Sequence, residues 1–151
     1  MFKLSRKVEY ALMALNYLHQ NKNRSSVRDI CNHLQVPFDT VSKVLQILNA
    51  HSIVGAEKGI NGGYFLKDSL QNINLYDFCQ LIEPKPIMRQ CHHMTEGTQE
   101  PACELMENCN ITSALFTFNS LVANFLKQIT LLELLEKPEY LNAPNLMKIK
   151  L

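Results

Sequence analysis

Residues 25–66 decide the fold, and they read SSVRDICNHLQVPFDTVSKVLQILNAHSIVGAEKGINGGYFL. Apolar residues recur at helical spacing in 27–34 and again in 41–48, and Val36-Pro37 interrupts the pattern between the two runs. Strand-like residues at 53–56, a turn with three glycines at 58–63 and a second apolar run at 64–66 indicate a β-hairpin. The segment therefore predicts a helix-turn-helix followed by a wing.

Helical patterns flank this segment on both sides. An amphipathic pattern covers residues 4–20, and a short one covers 75–83. A longer apolar repeat then runs from about residue 110 to 136, and at 1.5 Å per residue it predicts one helix about 40 Å long. Its apolar residues alternate at spacings of four and three, which is typical of a dimer seam: Ile111, Leu115, Phe118, Val122, Phe125, Ile129 and Leu132.

The predicted fold is mainly α with a small β-hairpin wing, a winged helix-turn-helix plus a long dimerisation helix. We expect five regions along the chain: a DNA-binding domain over 1–68, a linking helix over 69–86, a cysteine loop over 87–109, the dimerisation helix over 110–136 and a C-terminal tail over 137–151.

Composition limits the class of protein. The 151 residues are 46% hydrophobic, but no apolar run reaches the length that a membrane-spanning helix needs. The N-terminus has no uncharged apolar segment of the kind found in signal peptides, so we expect a cytoplasmic protein with no membrane partner. The sequence has no glycine-rich phosphate loop, pair of catalytic acids or nucleophile motif, and we expect no enzymatic activity.

The net charge of +1 is distributed unevenly. Residues 1–68 carry nine Lys/Arg and five Asp/Glu, a net charge of +4, whereas residues 69–151 carry six and nine, a net charge of −3. A basic first half on this scaffold favours double-stranded DNA as the partner, with a protein-binding winged helix as the alternative. The candidate DNA-binding residues lie at the start of the first helix of the pair, on the exposed face of the second and in the wing: Ser26, Arg28, Asp39, Thr40, Ser42, Lys43, Gln46, Lys58, Asn61, Gly62 and Gly63.

The five cysteines form two groups. Cys31 and Cys79 fall on apolar stripes, and we expect them in the core. Cys91, Cys103 and Cys109 have the spacing C-x11-C-x5-C in a polar loop. Three neighbouring thiolates indicate a metal or iron–sulfur site one ligand short of four, and the absence of a C-x2-C pair argues against a zinc ribbon. Inert surface thiols are the alternative.

Several motifs together resemble the Rrf2 family of bacterial transcription regulators. They are LSRKVEYAL at 4–12, VSKVL at 41–45, GINGGYFL at 59–66 and ITLLELL at 129–135. The resemblance implies a homodimer that binds a near-palindromic DNA operator. It also implies an iron–sulfur cluster in many members, [2Fe-2S] or [4Fe-4S], which senses iron, redox state or nitric oxide.

This chain departs from the family in the spacing of its clustered cysteines and in the residue available as the fourth cluster ligand. Eleven residues separate its first two clustered cysteines, more than in many members, and Thr112 stands where some members carry a histidine. Glu9 matches an acidic residue of the first helix that serves as a ligand across the dimer in other members. His92, His93 or water are the alternatives to Glu9. The resemblance thus implies a DNA-binding transcriptional regulator controlled by a cluster on Cys91, Cys103, Cys109 and Glu9; the alternative is a cluster-free redox or zinc-stabilised regulator.

Overall fold

The structure, a computed structural model, describes residues 3–60, 62–67, 69–84 and 109–136. The described chain is mostly helical with one antiparallel hairpin, which confirms the predicted winged helix-turn-helix. Its elements are α1 (Arg6–Gln20), α2 (Val27–Leu34), α3 (Phe38–Ala50), β1 (Val54–Glu57), β2 (Gly63–Leu66), a 3-10 turn (Leu70–Asn72), α4 (Leu75–Ile82), α5 (Thr112–Lys127) and α6 (Leu131–Glu136).

Local hydrogen bonds define the helix-turn-helix. The Ser26 hydroxyl accepts a hydrogen bond from the Asp29 N–H, and the Asp29 carboxylate accepts one from the Ser26 N–H, which forms a capping box at the start of α2. Gln35 ends α2 in the left-handed conformation, with φ of 54°. Pro37 then precedes α3 with a φ of −64°, the value that its ring imposes. These residues turn the chain between the two helices.

The core lies between the apolar faces of α1, α3 and α4, and α2 and the hairpin close its sides. Leu15 of α1, Leu45 of α3 and Phe78 of α4 are among its largest fully buried side chains. Residues 69–86 were predicted as a linking helix. Within their described part, Leu70 and Ile82 also belong to this core cluster, so the segment is an integral part of the N-terminal domain and is more than a connection to α5.

The wing is attached to the residue that precedes the capping box. β1 and β2 pair in antiparallel register, with Ala56 opposite Tyr64. Ser25 donates its N–H to the Tyr64 carbonyl at 3.0 Å and accepts the Tyr64 N–H at 2.8 Å. A Cβ at Gly63 would lie 2.7 Å from the Ser25 carbonyl carbon and oxygen, so only glycine allows this approach. The hairpin and the start of α2 are thereby held together by backbone hydrogen bonds.

The C-terminal helix differs from the prediction. The sequence predicts one helix over 110–136, but α5 ends at Lys127 and α6 begins at Leu131. Of the predicted seam, Ile129 is buried in the N-terminal domain, and Val122 and Phe125 pack against the same core. None of the helices in the described ranges is long and apolar enough to cross a bilayer.

The division of this helix has two physical causes. Thr130 and Glu133 form a second capping box: the Glu133 N–H donates to the Thr130 hydroxyl oxygen at 3.2 Å, and the Thr130 N–H donates to the Glu133 carboxylate at 3.0 Å. The intervening backbone also pairs with the segment before α4, because the Leu75 N–H donates to the Ile129 carbonyl and the Leu131 N–H donates to the Ile73 carbonyl, each at 2.8 Å. The apolar repeat therefore continues without a helix break over α5 alone.

Candidate nucleic-acid interface and cysteine site

The outer face of α3 carries the polar residues predicted to contact DNA. Val41, Val44, Leu45 and Leu48 are fully buried and orient the helix. This leaves Asp39, Lys43 and Gln46 exposed on the opposite face. Thr40 and Ser42 were expected to be exposed as well, but both are half-buried on the flanks of the helix. The face therefore combines a cation, an amide and a carboxylate, side chains that pair with phosphates and base edges.

The start of α2 presents Arg28 but uses Ser26 for its own structure. The Ser26 hydroxyl accepts the Asp29 N–H and donates to the Asp29 carboxylate at 2.6 Å. Its primary role is therefore the helix cap. The Arg28 side chain is exposed beside this helix start and lines an open groove with Asn32 and Phe38. A cation near a helix N-terminus suits a phosphate ligand.

The wing presents Lys58, which is exposed at the end of β1. Gly62 and Gly63 were predicted as DNA contacts, and the structure gives each a packing reason. A Cβ at Gly62 would lie 2.3 Å from the Glu57 carbonyl oxygen, and Gly63 approaches Ser25. Asn61 lies outside the described residues. The described wing thus contributes one predicted cation to the surface formed by α2 and α3.

Four residues near this surface escaped prediction from the sequence. Arg24 pairs with Glu57 of β1 at 2.7 Å and lies over the Phe65 ring, which ties the wing to the segment before α2. No local pattern relates Arg24 and Glu57, which are 33 positions apart. Phe38 and Ile60 are large apolar side chains exposed on α3 and at the wing turn. Phe38 stands three positions before Val41, so helical periodicity alone would assign it to the core.

The cysteine loop is only partly described. Cys91, Cys103, His92 and His93 lie outside the described residues. Cys109 is a half-buried free thiol just before α5. Hydrogen bonds from the Thr112 side chain and the Ile111 backbone lower the pKa of the Cys109 thiol, which favours its thiolate form.

The other two cysteines were predicted in the core, and the structure places one in it and the other against it. Cys31 is buried and Cys79 packs against the core. Burial raises the pKa of the Cys31 thiol, and it raises the pKa of Cys79 to about 11. Both thiols are therefore protonated at neutral pH and are poor metal ligands.

Glu9 lies on α1, and its carboxylate is paired with Arg6 at 3.3 Å. Both side chains are partly solvent-exposed, so the pair contributes little stability and its carboxylate can exchange partners. Within the described ranges, no three His, Cys, Asp or Glu side chains are grouped in a way that could hold a metal ion. Two of the three predicted thiolate ligands lie outside those ranges.

Comparison with known proteins gives a consistent family. The sequence model of the Rrf2 family, whose description is iron-dependent transcriptional regulator, matches residues 4–137. The HTH-type transcriptional regulator NsrR of Halalkalibacterium halodurans is 27% identical over 150 residues, which cover 98% of this chain and 99% of that protein.

Solved structures with the same fold include CymR and IscR. CymR (YrzC), the global cysteine regulator of B. subtilis, superposes with a TM-score of 0.64 at 19% identity, over 89% of this chain and 97% of that one. IscR of T. potens superposes with a TM-score of 0.62 at 19% identity, over 93% and 90% of the two chains. At these identities the likeness concerns the fold alone.

Proposed function

Because the chain belongs to the Rrf2 family of transcriptional regulators, we propose that it is a cytoplasmic homodimer that binds an operator through α3 and the wing. An iron–sulfur cluster on the cysteine loop controls that binding. The observation that carries the DNA-binding half is the exposure of Lys43 on α3, Arg28 on α2 and Lys58 in the wing of the winged helix-turn-helix. Members of this family are transcriptional regulators and not enzymes.

The charges on this surface are free to meet phosphate. Arg28 and Lys43 project from consecutive helices, and Lys58 projects from the wing that is bonded to the start of α2. The recognition helix of such a fold enters the major groove, and the wing contacts the backbone or the minor groove. Each lysine that neutralises a phosphate releases a counterion and makes affinity depend on salt.

We predict that Lys43→Ala and Lys58→Ala each weaken DNA binding and lower the slope of log affinity against log salt by about one. Fluorescence anisotropy with a duplex selected from random sequence by the wild-type protein measures both quantities. Lys127→Ala is the matched control, because Lys127 is an exposed lysine of α5 that lies over the Tyr76 ring, away from the proposed surface. Unchanged affinity in both test variants would remove this face from the DNA-binding surface.

A dimer interface on α5 is the second part of the proposal. Exposed apolar residues recur along one side of this helix at spacings of three and four: Ile111, Ala114, Phe118 and Leu121. Val122 and Phe125 of the predicted seam face the chain's own core instead. The proposed interface is therefore rotated around α5 from the predicted seam and shortened by the break at 128–130. A second copy of the same stripe would cover it with apolar surface.

We predict that the wild-type protein is a dimer at micromolar concentration and that Phe118→Asp makes it monomeric. An aspartate there would bury an unpaired charge in the interface, which costs several kcal/mol. Light scattering measures the mass, and circular dichroism checks the helix content. Val122→Asp is the contrasting variant, because Val122 packs against the core and its replacement should destabilise the fold itself. A monomeric wild-type protein would contradict the proposed interface.

The cluster is the third part of the proposal, and the donor set fits it. Three thiolates and a carboxylate suit iron, and Cys109 is a partly accessible thiol whose pKa is lowered by its neighbours. Cys91, Cys103 and Cys109 would hold the cluster, with Glu9 of the partner subunit as the fourth ligand. When bound, the cluster would supply redox chemistry or reaction with a diatomic gas.

The fold offers a contact route from this site to the DNA-binding face. Cys109 lies three residues before the first residue of α5, α5 packs against α4, and α4 packs against α3. A change at Cys109 that shifts α5 would therefore reach the recognition helix through one intervening helix. Control of DNA binding additionally requires that the two cluster states favour different arrangements of the DNA-binding domains.

We predict that Cys91→Ala, Cys103→Ala and Cys109→Ala each lose the cluster, whereas Cys31→Ala and Cys79→Ala retain it, because Cys31 is buried in the core and Cys79 packs against it. Iron and sulfide per subunit and the visible absorption of anaerobically purified protein measure retention. Glu9→Ala should keep the iron but shift the spectrum, since three thiolates still hold it. A colourless wild-type protein with one zinc per subunit, or full iron in all three loop variants, would contradict the proposed site.

A further inference from the structure

Besides Met13 of α1, the large apolar side chains exposed in the described chain lie at two kinds of place. Four of them, Ile111, Phe116, Phe118 and Leu121, lie on or just before α5. Two others, Phe38 and Ile60, lie on the elements that face DNA in the proposed function. Neither Phe38 nor Ile60 packs in or against the core, and neither belongs to the proposed dimer interface on α5. The polar DNA contacts proposed above do not involve them.

Phe38 is the first residue of α3, and about half of its surface (51%) is exposed. It does not belong to the core cluster of the described residues or to the side chains that pack against that cluster. Its ring lines the open groove outside the turn between α2 and α3, where Arg28 and Asn32 of α2 are its neighbours. A phenylalanine in this position gives up about half of the stabilisation that full burial would bring.

The chemistry of the major groove contains one apolar group that fits this residue. The first residues of a recognition helix approach the base edges, and the methyl group of thymine is the only apolar substituent displayed there. Arg28 beside the ring suits a phosphate of the same strand. Phe38 also lies on the flank of α3 nearest to α2, and not among the exposed polar residues, so it can meet a base without displacing Lys43 or Gln46.

We propose that Phe38 contacts the 5-methyl group of a thymine in the operator and makes affinity depend on that thymine. The inference rests on the proposed DNA-binding function and adds a residue that determines its sequence preference. The charge around Phe38 favours this occupant over an apolar protein partner, because Arg28 shares the groove and Lys43 lies five residues farther along α3.

Replacing single thymines by deoxyuridine tests the contact directly, because this removes the methyl group and leaves base pairing intact. The probe is a duplex selected from random sequence by the wild-type protein, with each thymine replaced in turn. We expect wild-type affinity to fall about fourfold at one position in each half-site, the effect of losing one buried methyl group. Phe38→Ala should bind more weakly and lose this difference at that position, and Phe38→Leu should keep part of it.

Two controls keep the result interpretable. Ile60→Ala removes an exposed apolar residue of the same domain, and its thymine-to-deoxyuridine ratio at that position should equal the wild-type ratio. Circular dichroism of Phe38→Ala and Phe38→Leu confirms folding. The proposal is overturned if no deoxyuridine position weakens the wild-type protein, or if Phe38→Ala retains the full ratio, while sequence-specific binding itself persists. A wild-type protein that selects no duplex overturns the proposed function and this inference with it.

Discussion

The backbone pairing of Ser25 with Tyr64 is the constraint on which the DNA-binding surface depends. Its two hydrogen bonds join the wing to the residue before the α2 capping box. They require glycine at 63, because any side chain there would overlap the Ser25 backbone. Arg24 adds an ion pair with Glu57 on the same joint, but both side chains are about half exposed and the pair contributes little energy. The wing position is therefore set by backbone hydrogen bonds and close packing more than by charge.

The same joint explains how a small domain can present two separate elements as one surface. The buried stripes of α1, α3 and α4 fix the recognition helix, and the Ser25–Tyr64 pairing adds the wing to that rigid unit. Residues 129–136 are fixed to this unit as well: Ile129 and Leu131 are buried in it, and the His19 ring of α1 hydrogen-bonds the Glu136 carboxylate of α6 at 2.6 Å. A shift of α5 would thus act on a domain whose helices and wing are packed and bonded together as one unit.

Local patterns in the sequence predict much of this fold. Helical periodicity, Pro37 and the glycine-rich turn locate the helix-turn-helix and the wing, because each depends on neighbours within a few residues. The prediction of one continuous C-terminal helix was wrong. The sustained apolar repeat concealed the Thr130–Glu133 capping box, and the backbone pairing of Thr130 with Asn74 joins residues far apart in the sequence. The packing of Gly62 and Gly63 could not be predicted, since the sequence cannot show that Glu57 and Ser25 lie against them. Their contact with DNA stays a prediction.

Some residues of the candidate DNA-binding surface could be predicted from the sequence and others could not. Lys43 and Gln46 follow from the apolar stripe of α3, since polar residues opposite a buried stripe must be exposed. Phe38 could not be found in this way, because its spacing from Val41 is that of a core residue. Its exposure depends on how α2 and the turn leave the start of α3 uncovered.

A comparison of Gly63→Ala with Gly55→Ala tests the role of the Ser25–Tyr64 joint most directly. At Gly63 the added methyl group meets backbone, whereas at Gly55 it meets the Phe65 ring, a half-buried side chain that can rotate away. We expect Gly63→Ala to lower the free energy of unfolding by about 1–3 kcal/mol, measured by chemical denaturation, and to weaken DNA binding, with smaller effects for Gly55→Ala. Wild-type stability and DNA affinity in Gly63→Ala would contradict the central role of this joint.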